Sequence, residues 1–274
     1  MPKCEVILAR ALSSMLNAIL ADKRRDLSKA KVEVPWAELV SRIRDAKLPS
    51  LKEVLARPEV NIIAEIKYRS PSRGDFRCHL RPKDLAALYV ENGAAAISVL
   101  TEKDHFKGDL QFLQIVSDSQ PGLPVLRKDF IFDRYQVVET RVKRASAFLL
   151  IAACLSKEQL QSLMGYGEEL GLEALVEVHG ARELETALES GARLIGVNNR
   201  NLESFEVDIQ TSFDLARRME VESGCWLISE SGIRERSQIL ELRDAGFSAF
   251  LIGSILMDAP DPGKKLGELL GVGS

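Results

Sequence analysis

From residue 61 onward, short β-branched apolar runs alternate with longer stretches whose apolar residues recur every three or four positions. The first pattern predicts a buried strand and the second predicts an amphipathic helix. Glycines stand where predicted helices should end before the next strand, at Gly93, Gly171, Gly191 and Gly246. The pattern predicts eight strands, at 61–67, 95–101, 124–130, 147–153, 173–179, 194–200, 225–231 and 249–255.

Strands that alternate with helices imply an α/β protein with parallel pairing through right-handed crossovers. Eight such units favour a closed (β/α)8 barrel, the TIM barrel, over an open sheet. A doubly wound sheet would be expected to carry Gly-x-Gly-x-x-Gly after its first strand, and the sequence has no such motif there. We therefore predict one catalytic domain, a (β/α)8 barrel over 61–274.

Residues 1–60 are predicted to be a helical extension packed on the barrel. Arg10 and Asn17 interrupt the apolar stretch near the start, which argues against a signal peptide. No stretch reaches the ~20 apolar residues that a membrane span needs. The spacing instead places one set of apolar side chains on a single helical face: Leu8, Leu12, Met15, Leu16, Ile19 and Leu20.

Composition narrows the class of partner. A net charge of −3 provides no basic field for nucleic acid. The four cysteines are far apart without a Cys-x-x-Cys pair, so neither a disulfide framework nor a zinc site is expected. We expect a cytoplasmic enzyme that binds neither membrane nor metal and acts on a small molecule.

In a barrel of this kind, the active site lies at the carboxyl ends of the strands. The first strand ends in Glu65-Ile66-Lys67, where Glu65 and Lys67 share a side because side chains alternate. The sequence leaves open, by one residue, which side of this strand faces the barrel interior. If Ile66 faces the helices, a carboxylate and an ammonium group enter the mouth together; a structural ion pair at the rim is the alternative.

The third and fifth strands add further charges. Lys128 lies on the same side as Leu126 and Phe130. Glu177 alternates with apolar valines and so should face the interior, where an unpaired carboxylate would be costly. It therefore needs a partner such as Lys67 or Lys128. His179 is expected at the rim rather than in the chemistry.

The last three strands end in candidate substrate ligands. Asn198 and Arg200 share a side and can hydrogen-bond hydroxyl or carboxylate groups. Loops after the seventh and eighth strands often bind phosphate in this fold. Gly232 and Gly253 would let the backbone approach a phosphate, although both glycines could instead serve tight turns. Ser254 adds a hydroxyl donor, and 70–74 offers a third donor set in a flexible loop above the mouth.

These residues resemble the indole-3-glycerol phosphate synthase family of the tryptophan pathway. The resemblance covers about residues 60–257 in the family's order. The matching motifs are Ala-Glu-Ile-Lys-x-x-Ser-Pro-Ser-x-Gly (64–74), Ser-Val-Leu-Thr-Glu (98–102), Val-Leu-Arg-Lys-Asp-Phe-Ile (125–131), Leu-Val-Glu-Val-His (175–179), Gly-Val-Asn-Asn-Arg (196–200), Ser-Glu-Ser-Gly-Ile (229–233) and Phe-Leu-Ile-Gly-Ser (250–254). Residues 144–147 depart from the family, which commonly has Ala-Asp there.

The resemblance implies a cofactor-free conversion of 1-(2-carboxyphenylamino)-1-deoxyribulose 5-phosphate to indole-3-glycerol phosphate, with loss of CO2 and water. Lys128 would be the general acid of ring closure, held by Glu177. Lys67 would bind the carboxylate that leaves, and Glu65 would assist dehydration. The remaining implied site residues are Asn198, Glu230 and Ser231 around the reacting atoms, and Ser70, Phe130, Arg200, Gly232, Gly253 and Ser254 in substrate and phosphate binding.

Two other functions stay open at this point. A phosphoribosylanthranilate isomerase-like enzyme would be expected to use a Cys/Asp pair, and Cys154, after the fourth strand, is expected to be only a small buried apolar residue. A non-catalytic barrel that binds a phosphate ester would not need both lysines. We expect a monofunctional monomer that can associate with other enzymes of the tryptophan pathway.

Overall fold

The computed structural model describes residues 2–202, 204–219 and 224–272, with the side chains of the first helix from Met15 onward. Eight parallel strands close into a barrel, so the predicted fold class is confirmed. The barrel strands are β1 (Asn61–Ile66), β4 (Ala96–Leu100), β5 (Val125–Lys128), β6 (Ala147–Ile151), β7 (Glu173–Val178), β8 (Leu194–Asn198), β9 (Trp226–Glu230) and β10 (Ala249–Ile252). Each pairs with its neighbours in the chain, and β1 pairs with both β4 and β10 to close the ring.

Between β1 and the following helix, the chain forms a small antiparallel hairpin of β2 (Arg69–Ser70) and β3 (Gly74–Asp75). Within the segment 70–74, predicted as a flexible loop, Ser70 pairs with Gly74, and 71–73 form the turn between the two strands. The helices are α1 (Pro2–Glu33), α2 (Trp36–Ser41), α3 (Leu51–Leu55), α4 (Pro82–Glu91), α5 (Leu110–Ser119), α6 (Arg134–Val142), a 3-10 turn η1 (Ala152–Cys154), α7 (Lys157–Glu169), α8 (Ala181–Glu189), α9 (Gln210–Met219), α10 (Arg236–Asp244), α11 (Ser254–Asp258) and α12 (Pro262–Leu270).

Alternation along the strands divides the core into two layers. On β1, Ile62, Ala64 and Ile66 pack outward against the helices, whereas Ile63 packs inside the barrel. This settles the register, because Glu65 continues the inward series. The same rule turns Lys128 inward on β5, after the interior Leu126.

The predicted helix ends are also confirmed. The four glycines expected to close helices all have positive φ, a backbone region that is costly for residues with a Cβ. They are Gly93 (φ 90), Gly171 (φ 68), Gly191 (φ 86) and Gly246 (φ 101).

The segments before β1 cover two parts of the barrel. Leu51 and Leu55 of α3 pack into the interior cluster at the end where the strands begin. The Glu173 carboxylate accepts hydrogen bonds from the Leu51 backbone N–H (2.6 Å) and the Ser50 hydroxyl (2.8 Å), which satisfies the start of α3. Helices α1 and α2 pack on α6 through a small separate apolar cluster. The boundary at residue 60 stays a prediction.

The predicted apolar face of α1 is only partly visible in the structure. Leu8 and Leu12 lie outside the described side chains. Ile19 and Leu20 are buried, as a docked face requires. No helix in the described part of the chain is both long and apolar enough to cross a membrane.

Candidate active site

The carboxyl ends of the strands surround a cavity of about 670 Å³, a volume in the range of small-molecule sites. Every residue that the sequence marked as a candidate for catalysis or binding lines this cavity. They are Glu65, Lys67, Ser70, Lys128, Phe130, Glu177, Asn198, Arg200, Glu230, Ser231, Gly232, Gly253 and Ser254.

Lys128 lies at the centre of a buried charge cluster. Its Nζ is 2.7 Å from Oε2 of Glu177 and 3.4 Å from Oε2 of Glu230. Both carboxylate side chains are 2% exposed, whereas 14% of the Lys128 side chain remains accessible. Of the two partners that strand alternation allowed for Glu177, the structure selects Lys128. Lys67, the residue after β1, instead pairs with Glu65 of that strand.

Burial and mutual charge separate the pKa values of this cluster. Burial alone would lower the pKa of Lys128, but the carboxylates of Glu177, Glu230 and Glu65 raise it above the ordinary lysine value. Burial would raise the pKa of Glu177, yet Lys128 and His179 hold it well below the usual range. Burial, together with the charge of Glu177, raises the pKa of Glu230 to about 8 despite Lys128. A carboxylate and a carboxylic acid thus flank one ammonium group at neutral pH.

Two glycines make room for the carboxylates. A Cβ on Gly253 would lie 2.9 Å from the Cβ of Glu65 and 3.0 Å from its carboxylate carbon. A Cβ on Gly196, in β8, would collide with the Glu230 carboxylate. The sequence predicts Gly253 only as a phosphate ligand or a turn residue. The structure shows that it also accommodates Glu65.

The turn after β9 has strained backbone at the candidate phosphate site. Ser231 and Gly232 both have positive φ, 67° and 85°. For serine this conformation is unusual and persists only where neighbours enforce it. The Asn199 side chain does so by donating to the Ser231 carbonyl (3.0 Å).

Asn199 belongs to a buried network that sequence reasoning missed. Its Nδ2 donates to the Ser229 hydroxyl (3.1 Å), and its Oδ1 accepts from the Ser212 hydroxyl (2.8 Å). The two hydroxyls are themselves 2.8 Å apart. The network ties β8, β9 and α9 together below the turn. Its sequence signals were the polar Ser229 between Glu230 and the apolar Ile228, and Asn199 in the Gly-Val-Asn-Asn-Arg motif.

Asn198 and Arg200 share the cavity side as predicted. Asn198 Oδ1 accepts a hydrogen bond from the Arg200 backbone N–H (3.0 Å), and Arg200 Nη1 donates to the Phe205 carbonyl (2.9 Å). These contacts fix the Arg200 guanidinium at the cavity wall, where burial lowers its pKa.

Helix α1 forms part of the cavity wall, which the sequence did not predict. Met15, Leu16 and Ile19 line it beside Phe130. The helix is anchored where Lys23 Nζ meets Oδ2 of Asp129 at 2.7 Å. Apolar spacing indicated a docked helix, but spacing alone does not say on which part of the barrel a helix docks.

His179 and Cys154 lie behind the cavity wall. His179 is the residue after the carboxyl end of β7 and lies beside Glu177 with its side chain 9% exposed, outside the residues that line the cavity. Burial raises the pKa of the Cys154 thiol to about 12, so it is not an activated nucleophile or acid at neutral pH.

The divergent segment 144–147 leads into β6 at the opposite end of the barrel from the mouth. Among the described side chains, no cluster of three or more His, Cys, Asp or Glu could hold a metal ion.

The structure is a (β/α)8 barrel whose cavity holds a cluster of buried acidic and basic side chains. Solved structures similar to the chain share its fold. The 3-hexulose-6-phosphate synthase of Salmonella typhimurium has a TM-score of 0.61 at 14% identity, covering 77% of this chain and 97% of that one. KGPDC from Streptococcus mutans has a TM-score of 0.59 at 12% identity, covering 77% of this chain and 95% of that one.

Sequence comparison is more specific than fold. The family model "Indole-3-glycerol phosphate synthase" matches residues 16–269. The enzyme of that name from Carboxydothermus hydrogenoformans is 44% identical over 93% of this chain and 99% of its own length. The enzyme of the same name from Dehalococcoides mccartyi strain CBDB1 is 44% identical over 93% of this chain and 100% of its own length. The chain belongs to the indole-3-glycerol phosphate synthase family.

Proposed function

We propose that this chain converts 1-(2-carboxyphenylamino)-1-deoxyribulose 5-phosphate to indole-3-glycerol phosphate, releasing CO2 and water. The observation that carries the proposal is the buried Lys128, held 2.7 Å from Glu177 in a mouth that also contains Lys67 and Glu65. Family membership supplies the substrate, and the charge cluster supplies the acid and base groups that the reaction needs.

Ring closure is the step assigned to Lys128. The ring carbon that carries the carboxylate attacks the ribulose carbonyl, and the carbonyl oxygen must gain a proton. The Lys128 ammonium donates this proton, and Glu177 orients the donor. A raised pKa keeps Lys128 protonated at neutral pH, so the proton is present when substrate binds.

Decarboxylation and dehydration are assigned to the pair on β1. When substrate binds, Lys67 leaves Glu65 and pairs with the substrate carboxylate. The bond to that carboxylate then breaks, CO2 leaves, and the electron pair of the bond returns to the aromatic ring. The new hydroxyl then leaves as water, which requires one acid at the oxygen and one base at the neighbouring CH2 carbon. Lys67 serves as the acid and Glu65 as the base. Their ion pair in the structure places both groups at the same edge of the cavity.

Glu230 is proposed to hold a proton beside Lys128. With a pKa of about 8 it is largely protonated at neutral pH, and its Oε2 lies 3.4 Å from Lys128 Nζ. A neutral carboxyl at this place limits the negative charge around Lys128. Asn198 and Ser231 complete this wall and hydrogen-bond the substrate.

The two ends of the substrate are proposed to occupy opposite sides of the cavity. The phosphate binds where Ser70, Gly232, Gly253 and Ser254 converge, since two turns and a helix start meet there. The aromatic ring packs against Phe130 and the apolar face of α1, and Arg200 contacts the polar part of the substrate.

The test is to incubate the purified chain with this substrate and follow the indole fluorescence of the product. Turnover is expected with the phosphorylated substrate, and the dephosphorylated analogue, as matched control, should react at a much lower kcat/KM. No indole formation at any substrate concentration, with phosphate-dependent binding retained, would favour the non-catalytic phosphate-binding barrel instead.

We also propose that the enzyme acts in the cytoplasm as a monomer able to associate with other tryptophan-pathway enzymes. Two described cysteines, Cys78 and Cys154, are thiols, as a reducing compartment favours. Light scattering at the concentration of the activity assay should give the mass of one chain, 30.4 kDa. A dimer mass that persists on dilution would contradict the monomer.

A further inference from the structure

His179 occupies a fixed position between two carboxylates. Its Nδ1 is 3.0 Å from Oε2 of Glu183, and its Nε2 is 3.3 Å from Oε1 of Glu177. The same Glu183 oxygen accepts the His179 backbone N–H at 2.9 Å. The first turn of α8 therefore holds the imidazole ring in place against the end of β7.

Glu177 consequently has a basic side chain beside each of its carboxylate oxygens. Lys128 binds Oε2 at 2.7 Å, and His179 faces Oε1. Lys128 reaches the cavity, whereas His179 approaches from behind its wall. The imidazole thus touches the group that holds the proposed general acid without lining the substrate cavity.

The other charged or titratable groups near His179 come from several elements. Glu183 belongs to α8, and Cys154 lies on η1, close enough for Glu177 and Glu183 to influence its thiol. The positive charge of Arg24 on α1 also reaches Cys154. Lys128 of β5 contacts Glu177, and Glu230 of β9 lies 3.4 Å from Lys128. Carboxylates are the immediate neighbours of the ring, which favours the imidazolium form.

We propose that His179 is a positioning residue for the reaction: its imidazolium, anchored by Glu183, holds the second oxygen of Glu177 and keeps that carboxylate oriented on Lys128. The inference rests on the proposed function. Glu177 and Glu230 together retain one proton. Because two cations stabilise the ionised form of Glu177, that proton resides on Glu230. If the imidazolium were lost, Glu177 and Glu230 would share that proton, and Lys128 would lose its fixed acceptor.

The protonation of His179 agrees with this role. Burial would lower the pKa of the imidazole, but the neighbouring carboxylates of Glu177 and Glu183 raise it to about 9. The contact with Glu177 is therefore charged at neutral pH. Its stabilising effect is complete below the ordinary histidine pKa and is lost as the pH rises through about 9.

The test combines a titration with a kinetic profile. Only three histidines are present, so NMR of the imidazole carbons, assigned with single variants, follows each ring separately. We expect His179 to titrate near pH 9, and the pH profile of kcat to fall along a basic limb with the same midpoint. In His179→Gln, that limb should disappear and kcat should drop by about tenfold or more, while KM changes little. His79→Gln, at an exposed histidine, is the matched control and should leave the profile unchanged.

Glu183→Gln keeps the test decisive if the histidine variant fails to fold. Removing this carboxylate should lower the pKa of His179 and move the basic limb of kcat to lower pH by the same amount. Titration of His179 near 6.5 in the unmodified protein, or a limb that stays in place in Glu183→Gln, would overturn the inference. The titration needs no substrate, so failure of the proposed function itself would be seen separately, as absence of turnover.

Discussion

Replacing Lys128 by methionine tests the proposed general acid. Methionine keeps the length and apolar stem of lysine but has no proton to donate. In the structure, the change removes a cation 2.7 Å from Glu177 and 3.4 Å from Glu230, inside a site where both carboxylates are 2% exposed. General acids contribute about 10²–10⁴ to rate, so kcat should fall by at least about a hundredfold.

The same substitution also affects stability, in a pH-dependent way. Removing one partner of a buried ion pair costs about 3–5 kcal/mol when the other charge stays buried and ionised. His179 still faces Glu177 in the variant and offsets part of this cost, and Glu177 can avoid the rest by taking up a proton, because burial shifts its pKa upward once Lys128 is gone. The variant should therefore be least destabilised at acidic pH and lose stability as the pH rises through the raised pKa of Glu177.

A double variant separates the two effects. Lys128→Met combined with Glu177→Gln leaves no unpaired charge at this position of β7, so unfolding by urea at pH 8 should show most of the lost stability restored. Activity, followed by indole fluorescence, should remain absent because the acid is still missing. Retention of more than a tenth of kcat in Lys128→Met would refute the general-acid assignment, as would recovery of activity in the double variant.

Two further predictions concern the groups around this centre. Because the pKa of Glu230 is raised to about 8 in the folded protein, the free energy of unfolding should decline as the pH rises from the ordinary glutamate pKa to about 8. Glu230→Gln should flatten this decline, measured by urea unfolding between pH 5 and pH 8. If the free energy of unfolding depended on pH in the same way in the variant, Glu230 would be ionised in the folded protein. Gly253→Ala should push the Glu65 side chain aside and lower both kcat and thermal stability, by about 1–3 kcal/mol for the latter. Its control, Gly165→Ala, adds a methyl group to an open position in α7 and should stabilise the chain by about 0.5–1 kcal/mol; equal effects of the two variants would contradict the steric argument.

The barrel and its inward charges were predictable because they follow from local periodicity. Alternation along a strand needs only the sequence of that strand, so the positions of Lys128 and Glu177 followed once the strands were recognised. The side to which each β1 residue points could not be predicted from the sequence, because Ile63 and Ile66 are both apolar but lie on opposite sides of the strand. They find them in two separate layers, one inside and one outside the barrel.

Contacts between distant elements could not be predicted in the same way. Alternation gave the side on which Glu177 lies but not which lysine it meets, since that depends on the position of β5 relative to β7. The place of α1 over the mouth depends on the anchor between Lys23 and Asp129, which are far apart in the chain. The position of His179 similarly depends on Glu183, one helical turn into the next element.

The central claim is that this cavity couples ring closure to decarboxylation and dehydration in a single turnover. The most direct measurement uses substrate labelled with ¹³C in its carboxylate and counts released ¹³CO2 against indole-3-glycerol phosphate formed. The mechanism predicts equal amounts of the two products from the unmodified protein, and formation of both at least about a hundredfold slower in Lys128→Met. Release of labelled CO2 without indole formation, or retention of more than a tenth of the turnover in Lys128→Met, would contradict it.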